Sequence, residues 1–234
     1  MIISSLENLQ NLDYENTKEF ILYMSNQDLQ ENDLIQIKDA ILKFKKLEIL
    51  EINFSYNNLD LDACFLLSQA ITEGGLNLKN LYLNLKGVYF NRNDFKDLTS
   101  GISNCNFLTS LTFEFPMLDR DSSGIENFCK MVQKLINLEN LSLQFENKII
   151  QRIELRYISE GISKCFNLKS LSLDFKTSLL VNSELLNIAI DLKQLKYLKT
   201  LSFKFSKNQS QQNLNKARQI CYKFKQLIKL DLHL

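Results

Sequence analysis

The sequence predicts a single α/β domain over residues 1–234, a right-handed solenoid of about eight strand–helix repeats with a parallel sheet along its inner side. Three observations carry this. The segment Leu138–Phe145, LENLSLQF, recurs as LEILEINF from Leu47, LKNLYLNL from Leu78, LTSLTFEF from Leu108, LKSLSLDF from Leu168, LKTLSFKF from Leu198 and LIKLDLHL from Leu227. The opening leucines lie 31, 30, 30, 30, 30 and 29 residues apart, and a fixed period of that length marks a repeat array. Within each copy the fourth, sixth and eighth positions are apolar and the fifth and seventh mostly polar, the alternation of a strand with one buried face. Between copies the apolar residues step by three and four, which keeps them on one face of a helix.

Taken in order, residues 1–16 precede the array. Ile3, Leu6, Leu9 and Leu12 are spaced for a short amphipathic helix that would cap the first end of the core. Residues 17–46 form a degenerate first repeat: in TKEFILYM, Phe20, Leu22 and Met24 keep the register of Leu50, Ile52 and Phe54. Residues 47–234 are the regular repeats, the last one incomplete. The unit from Leu47 holds one extra residue, and Gly74–Gly75 is the expected place to absorb it, because glycine accepts the backbone angles of an irregular helix end.

The helical stripes are Phe95, Leu98, Ile102 and Cys105, then Ile125, Phe128, Val132 and Leu135, then Leu155, Ile158, Ile162 and Cys165, then Leu185, Ile188, Leu192 and Leu195. Their starts are marked by Asp33, by Asn93 with Asp94, by Ser123 with Glu126 at capping-box spacing, and by Ser183. At the eighth strand position stand Phe54, Leu85, Phe115, Phe145, Phe175, Phe205 and Leu234, which predicts a column of rings along the core.

With LxxLxLxF followed by a helix every 30 residues or so, the chain resembles the leucine-rich repeat family in its ribonuclease-inhibitor-like α/β form, over roughly residues 17–234. The resemblance implies a non-enzymatic protein-binding module. There is a departure. The family often carries asparagine at the ninth position of the strand motif, where this chain has Ser55, Lys86, Pro116, Glu146, Lys176 and Ser206. No continuous asparagine ladder is expected, and the strand-to-helix connections should be less uniform.

Composition narrows the class. The chain is 45% apolar and 24% charged, which is globular, not disordered. No run approaches the roughly 20 apolar residues of a membrane helix, and MIISSLENLQ has neither the basic residues nor the apolar stretch of a secretory signal. Cys64, Cys105, Cys165 and Cys221 fall on helical stripes and Cys129 beside one, so the five read as small core residues in a reducing, intracellular and cytoplasmic setting.

Charge is uneven along the chain. Residues 1–62 carry 12 acids and 5 bases, a balance of −7, whereas residues 193–234 carry Asp231 against 10 bases, a balance of +9. In a solenoid sequence order is spatial order, so this is an end-to-end dipole. The outward bases Lys216, Arg218, Lys223 and Lys225, with Lys199, Lys204 and Lys229 from the strands, predict a docking end for an acidic protein surface. A nucleic-acid backbone is the less favoured partner, because Phe203, Phe205 and Phe224 belong to the core and leave few aromatics to stack on bases.

The other candidate surface is the sheet face turned away from the helices. Its paired positions are Glu51 and Asn53, Tyr82 and Asn84, Thr112 and Glu114, Ser142 and Gln144, Ser172 and Asp174, Ser202 and Lys204, Asp231 and His233. Tyr82, and Tyr23 in the degenerate repeat, are the residue type that anchors protein partners. Apolar strand residues up to Leu234 also predict that the last edge is covered, by further chain or by another subunit of a larger assembly.

Reactive chemistry finds no footing. His233 is the sole histidine and is expected to face away from every stripe cysteine, so no nucleophile has a base beside it. Asp60 with Asp62 and Asp119 with Asp121 lack the further oxygens of a calcium loop and read as helix caps. No phosphate loop, paired-cysteine metal motif or nucleophile elbow occurs. The expectation is therefore no catalysis, no cofactor, no metal, no small-molecule substrate and no membrane contact.

Overall fold

The structure, a computed structural model, describes residues 2–59, 62–74, 77–118, 122–146, 149–180, 185–205 and 211–233. The repeat strands are β2 (Glu19–Tyr23), β3 (Ile49–Asn53), β4 (Asn80–Asn84), β6 (Ser110–Glu114), β8 (Asn140–Gln144), β10 (Ser170–Phe175), β12 (Thr200–Phe205) and β13 (Lys229–His233). They pair in parallel and in sequence order in one sheet, whose first strand is an added β1 (Ile2–Ile3) beside β2. Two-residue strands β5 (Tyr89–Phe90) and β7 (Met117–Leu118) pair with each other, as do β9 (Ile149–Ile150) and β11 (Leu179–Leu180). The helices are α1 (Glu31–Lys43), α2 (Ala63–Gly74), α3 (Arg92–Ile102), α4 (Ser123–Lys134), α5 (Arg152–Ile162), α6 (Leu185–Asp191) and α7 (Gln211–Cys221), each in contact with the next. The fold is an α/β solenoid of strand–helix repeats, with one parallel sheet on one side and the helices on the other.

The eight repeat strands are those the pattern predicts, and the ninth is a correction. Residues 1–16 do not make one amphipathic helix. Ile2 and Ile3 pair with Ile21 and Leu22, and a short 3-10 helix, Leu6–Asn11, follows and touches α1. Ile3 is buried from the strand, and Leu9 is buried with Leu6 and Leu12 partly buried, the three-residue step of a 3-10 turn.

The core sits between the sheet and the helix layer. Phe54, Leu85, Phe115, Phe145, Phe175 and Phe205 are all buried, and the four later rings form a row. Centroids lie 4.4 Å apart for Phe115 and Phe145, 4.9 Å for Phe145 and Phe175, and 6.4 Å for Phe175 and Phe205, with planes within 14° of parallel. Each such contact adds about 0.5–1.5 kcal/mol beyond area burial. Leu234 lies outside the described residues. The helical stripes face this row: Phe95, Leu98, Ile102, Ile125, Phe128, Val132, Leu155, Ile158 and Ile162 are buried.

The helix starts lie one to three residues before the expected ones. In α1 the N-cap is Gln30, and Asp33 is the third helical residue, returning its carboxylate to the Gln30 N–H at 2.9 Å. Asn91 caps α3, its side-chain oxygen accepting from the N–H groups of Asn93 and Asp94. Ser122 stands at the N-cap of α4, where Ser123 was expected to open a capping box, and Glu126 pairs with Lys130 at 2.6 Å. Ser183, Gly75, Asp60, Asp119 and Asp121 lie outside the described residues.

Candidate functional site

Period-two alternation places the fifth and seventh positions on the sheet face that carries no helices. Strand register lines them up in two rows. Glu51, Tyr82, Thr112, Ser142, Ser172, Ser202 and Asp231 are successive partners in one, and Asn53, Asn84, Glu114, Gln144, Asp174, Lys204 and His233 in the other. With about 4.8 Å between strands the nine-stranded face is about 38 Å long.

Much of its polar chemistry is turned inward. The Tyr82 hydroxyl donates to Glu114 at 2.7 Å, and the Asn84 amide donates back to that hydroxyl at 3.3 Å. Burial, and then the Glu114 carboxylate, hold the phenol pKa well above its ordinary value. Tyr82 is thus a fixed, neutral, half-buried anchor between two strands. The side-chain oxygens of Asn53, Asn84 and Asp174 accept from the N–H groups of Ser55, Lys86 and Lys176, so these three residues also fix the strand exits. Lys204 pairs with Asp174 at 3.1 Å, and Lys86 reaches Glu146 two repeats away at 2.8 Å.

The basic end is a different place from these rows. Lys216 and Arg218 stand on α7, and Lys223 and Lys225 follow it. Lys216, Lys223 and Lys225 are exposed and have no carboxylate partner among the described residues, whereas Lys229 pairs with Asp231 at 3.0 Å. Phe203, Phe205 and Phe224 are buried as expected. Few aromatics are expected to be free for stacking, and within residues 193–234 Tyr197 and Tyr222 are the exposed rings among the described residues.

The turns between each helix and the next strand hold a further set of bonds that neither the strand alternation nor the helical stripes mark. The N–H of Lys79 donates to the Glu48 carbonyl, that of Thr109 to Lys79, Glu139 to Thr109, Lys169 to Glu139, Lys199 to Lys169 and Ile228 to Lys199. An amide ladder reinforces this seam: Asn137 donates to the Asn106 carbonyl at 2.7 Å, Asn167 to Ile136 at 2.8 Å and Gln226 to Leu195 at 2.7 Å. Asparagine rungs therefore exist, but before the first leucine instead of at the ninth position. The recurring Asn-Leu of Asn137–Leu138 and Asn167–Leu168 is the signal that would have found them.

All five cysteines are buried and unpaired. Burial pushes the Cys105 and Cys221 thiols up to about 11 and Cys165 to about 12, and it raises Cys64 and Cys129 as well. None is a thiolate at neutral pH, so none is activated as a nucleophile. Among the described residues no group of three His, Cys, Asp or Glu side chains is placed to hold a metal ion, and no helix is long and apolar enough to cross a membrane.

No family model matches the chain, and no curated protein matches it. Among solved structures it is similar to the second actin-binding site of leiomodin-1, at 13% identity and a TM-score of 0.45, covering 92% of this chain and 90% of that one. A leucine-rich repeat protein of Leptospira interrogans gives 16% identity and a TM-score of 0.32, covering 97% of this chain and 62% of that one. TLR13 in complex with the RNA ssRNA13 gives 14% and 0.28, with 86% of this chain and 34% of that one covered.

Proposed function

We propose that the chain is a non-enzymatic protein-binding module of the ribonuclease-inhibitor-like kind, working in a reducing, cytoplasmic setting. Support for the subtype comes from the strand-plus-helix unit of about 30 residues. The observation that carries the binding reading is Tyr82. It is an aromatic anchor held rigid by Glu114 and Asn84 on a long face that no helix covers, so docking against it costs little side-chain entropy. Glu51 and Thr112 flank it in register, and Asn53, Gln144, Asp174 and Lys204 extend the surface. The five protonated core thiols agree with both the setting and the want of nucleophiles.

The test is affinity purification of the chain, identification of its partner by mass spectrometry, and titration of that purified partner. Tyr82→Ala or Glu51→Lys is expected to weaken binding at least tenfold with the helix signal unchanged. Equal affinity in both variants would remove the open face from the reading. A second reading is a subunit built into a larger assembly through β13, favoured by Leu230 and Leu232, which are only partly buried where their counterparts Leu201 and Phe203 are fully buried. It predicts that Lys→Glu changes at Lys216, Lys223 or Lys225 release the chain from that assembly.

A further inference from the structure

The helix-to-strand turns carry a feature that the fold does not require. In four successive turns the two outermost positions are Asn106 and Phe107, Ile136 and Asn137, Phe166 and Asn167, Lys196 and Tyr197, whereas the turns at Lys45–Lys46 and Lys225–Gln226 hold no large apolar residue. Asn137 and Asn167 use their amides to bond the preceding turn. The other position holds a large apolar residue pointing into solvent: Phe107 is 60% exposed, Ile136 70%, Phe166 61% and Tyr197 59%. Turns favour glycine, proline, asparagine, aspartate and serine, so turn chemistry gives no reason for an apolar side chain there. Because backbone bonds stack the turns one per strand, the four turns form a row about 14 Å long at about 4.8 Å per step, with the apolar residue at the second outermost position in Phe107 and Tyr197 and at the first in Ile136 and Phe166. Phe166 and Tyr197, with Gln194 and Lys196, line a recess of about 500 Å³.

Beside the row runs the column of second-position side chains, Lys18, Glu48, Lys79, Thr109, Glu139, Lys169, Lys199 and Ile228. Its first part is balanced: Glu48 pairs with Lys18 at 2.9 Å and Lys79 at 2.7 Å, and Glu139 with Lys169 at 2.7 Å. The last part is not. Lys199 stands between Lys169 and Ile228, and among the described residues it has no carboxylate partner, while the exposed Lys196 lines the recess. Lys169 is held by Glu139, so the unbalanced charge is that of the exposed Lys196 and Lys199, and two cations unpaired among the described residues and this close in the chain favour an anionic neighbour.

We propose that this turn edge, from Phe107 to Lys199, docks an acidic segment of a partner protein that inserts large apolar side chains between Phe166 and Tyr197. The inference rests on the protein-binding reading but on a different surface from the open sheet face. A single-stranded nucleic acid is disfavoured, because Ile136 interrupts the row with a side chain that offers no ring for a base to stack on.

The test pans a displayed library of random dodecapeptides against the purified chain and measures the enriched peptides by fluorescence anisotropy. Asp or Glu next to Phe, Leu or Trp should dominate. Affinity should fall at least tenfold in Phe166→Ser/Tyr197→Ser and severalfold in Lys199→Glu, with unchanged melting, and stay within twofold in the control Glu73→Gln, an exposed position on α2 that belongs to neither surface. The absence of binders, an uncharged or basic consensus, or peptides unaffected by Phe166→Ser/Tyr197→Ser would overturn it. So would tighter binding of a twelve-nucleotide oligo-uridine that is lost in the same double variant. Peptides lost only in Tyr82→Ala would overturn this inference while leaving the protein-binding reading standing.

Discussion

Where each helix hands over to the next strand, unit after unit uses one device; where each strand hands over to the next helix, the solution changes from repeat to repeat. The first edge is a backbone seam, with the second-position N–H bonded to the carbonyl one unit back and side-chain amides repeating the step. The second edge recruits side chains and special backbone. Asn57 is used once, donating to the carbonyls of Met24 and Phe54 and accepting from the N–H groups of Gln27 and Leu29. Gly87, at φ +73°, lies against the Tyr56 ring, where a Cβ would come within 2.4 Å of a ring carbon. Further on, the β5–β7 and β9–β11 ribbons take over. The difference has a functional consequence. A seam made by backbone leaves its side chains open for other use, whereas side chains drafted into holding loops are not.

The sharpest way to break the comparison is Asn57→Ala. Asn57 is buried, and its removal leaves the buried carbonyls of Met24 and Phe54 and the buried N–H of Leu29 without this partner, along with the part-buried N–H of Gln27. Each unsatisfied group costs about 1–3 kcal/mol, and relaxation shares the loss, so a total of about 3 kcal/mol is expected in urea unfolding. The loss should be local. Amides of residues 24–29 should exchange faster while those of Asn140–Gln144 keep their protection. A loss below about 1 kcal/mol would mean that water replaces the side chain and that the edge is less dependent on it.

A milder change sharpens the other side. Asn167→Ala removes one exposed rung from a seam whose backbone bonds remain, so the expected cost is about 0.5–1 kcal/mol. Asn137→Ala should match it. If either cost as much as Asn57→Ala, the seam would depend on its side chains after all, and the contrast between the edges would fail.

These unequal costs also explain what could be read from the sequence. Leu81, Leu83 and Leu85 announce a strand because burial repeats with the backbone period, and Phe115, Phe145 and Phe175 announce a ring stack because they recur at one position in units that share a register. Asn57 occurs in one unit only, so periodicity is blind to it, and the polar bonds that bury it become visible only with the chain folded. Gln30 and Gln151 are weak cap formers by type, and they succeed because Asp33 and Glu154 reach back from the third helical position. Two-residue strands such as Tyr89–Phe90 are too short for any period. For the candidate surface, Tyr82 was legible by position, but its bond to Glu114 was not. The exposed Phe166 could not be told from the buried Phe128 without knowing which residues sit at the turn.

The smallest expected effect tests whether ion pairs contribute to the seam at all. Glu48 accepts from Lys79 and Lys18 on the adjacent rungs, and these bonds, the one to Lys79 foremost, hold its pKa down at about 2 against an ordinary carboxylate value near 4. Since the folded value is the lower one, the carboxylate's contribution is complete above about pH 5 and is lost as pH falls from about 4 through about 2. Glu48→Gln should therefore be less stable than the native chain by a constant margin from pH 7 to 5, and the margin should close between pH 4 and 2. Both lysines are more than half exposed, so solvent and salt screen the pairs; the margin should be small and should shrink further in 1 M salt. Denaturant midpoints for the two proteins across that pH range decide it. Parallel curves down to pH 2 would show that the seam is held by its backbone bonds alone, which would make the two edges differ more than the ion pairs imply.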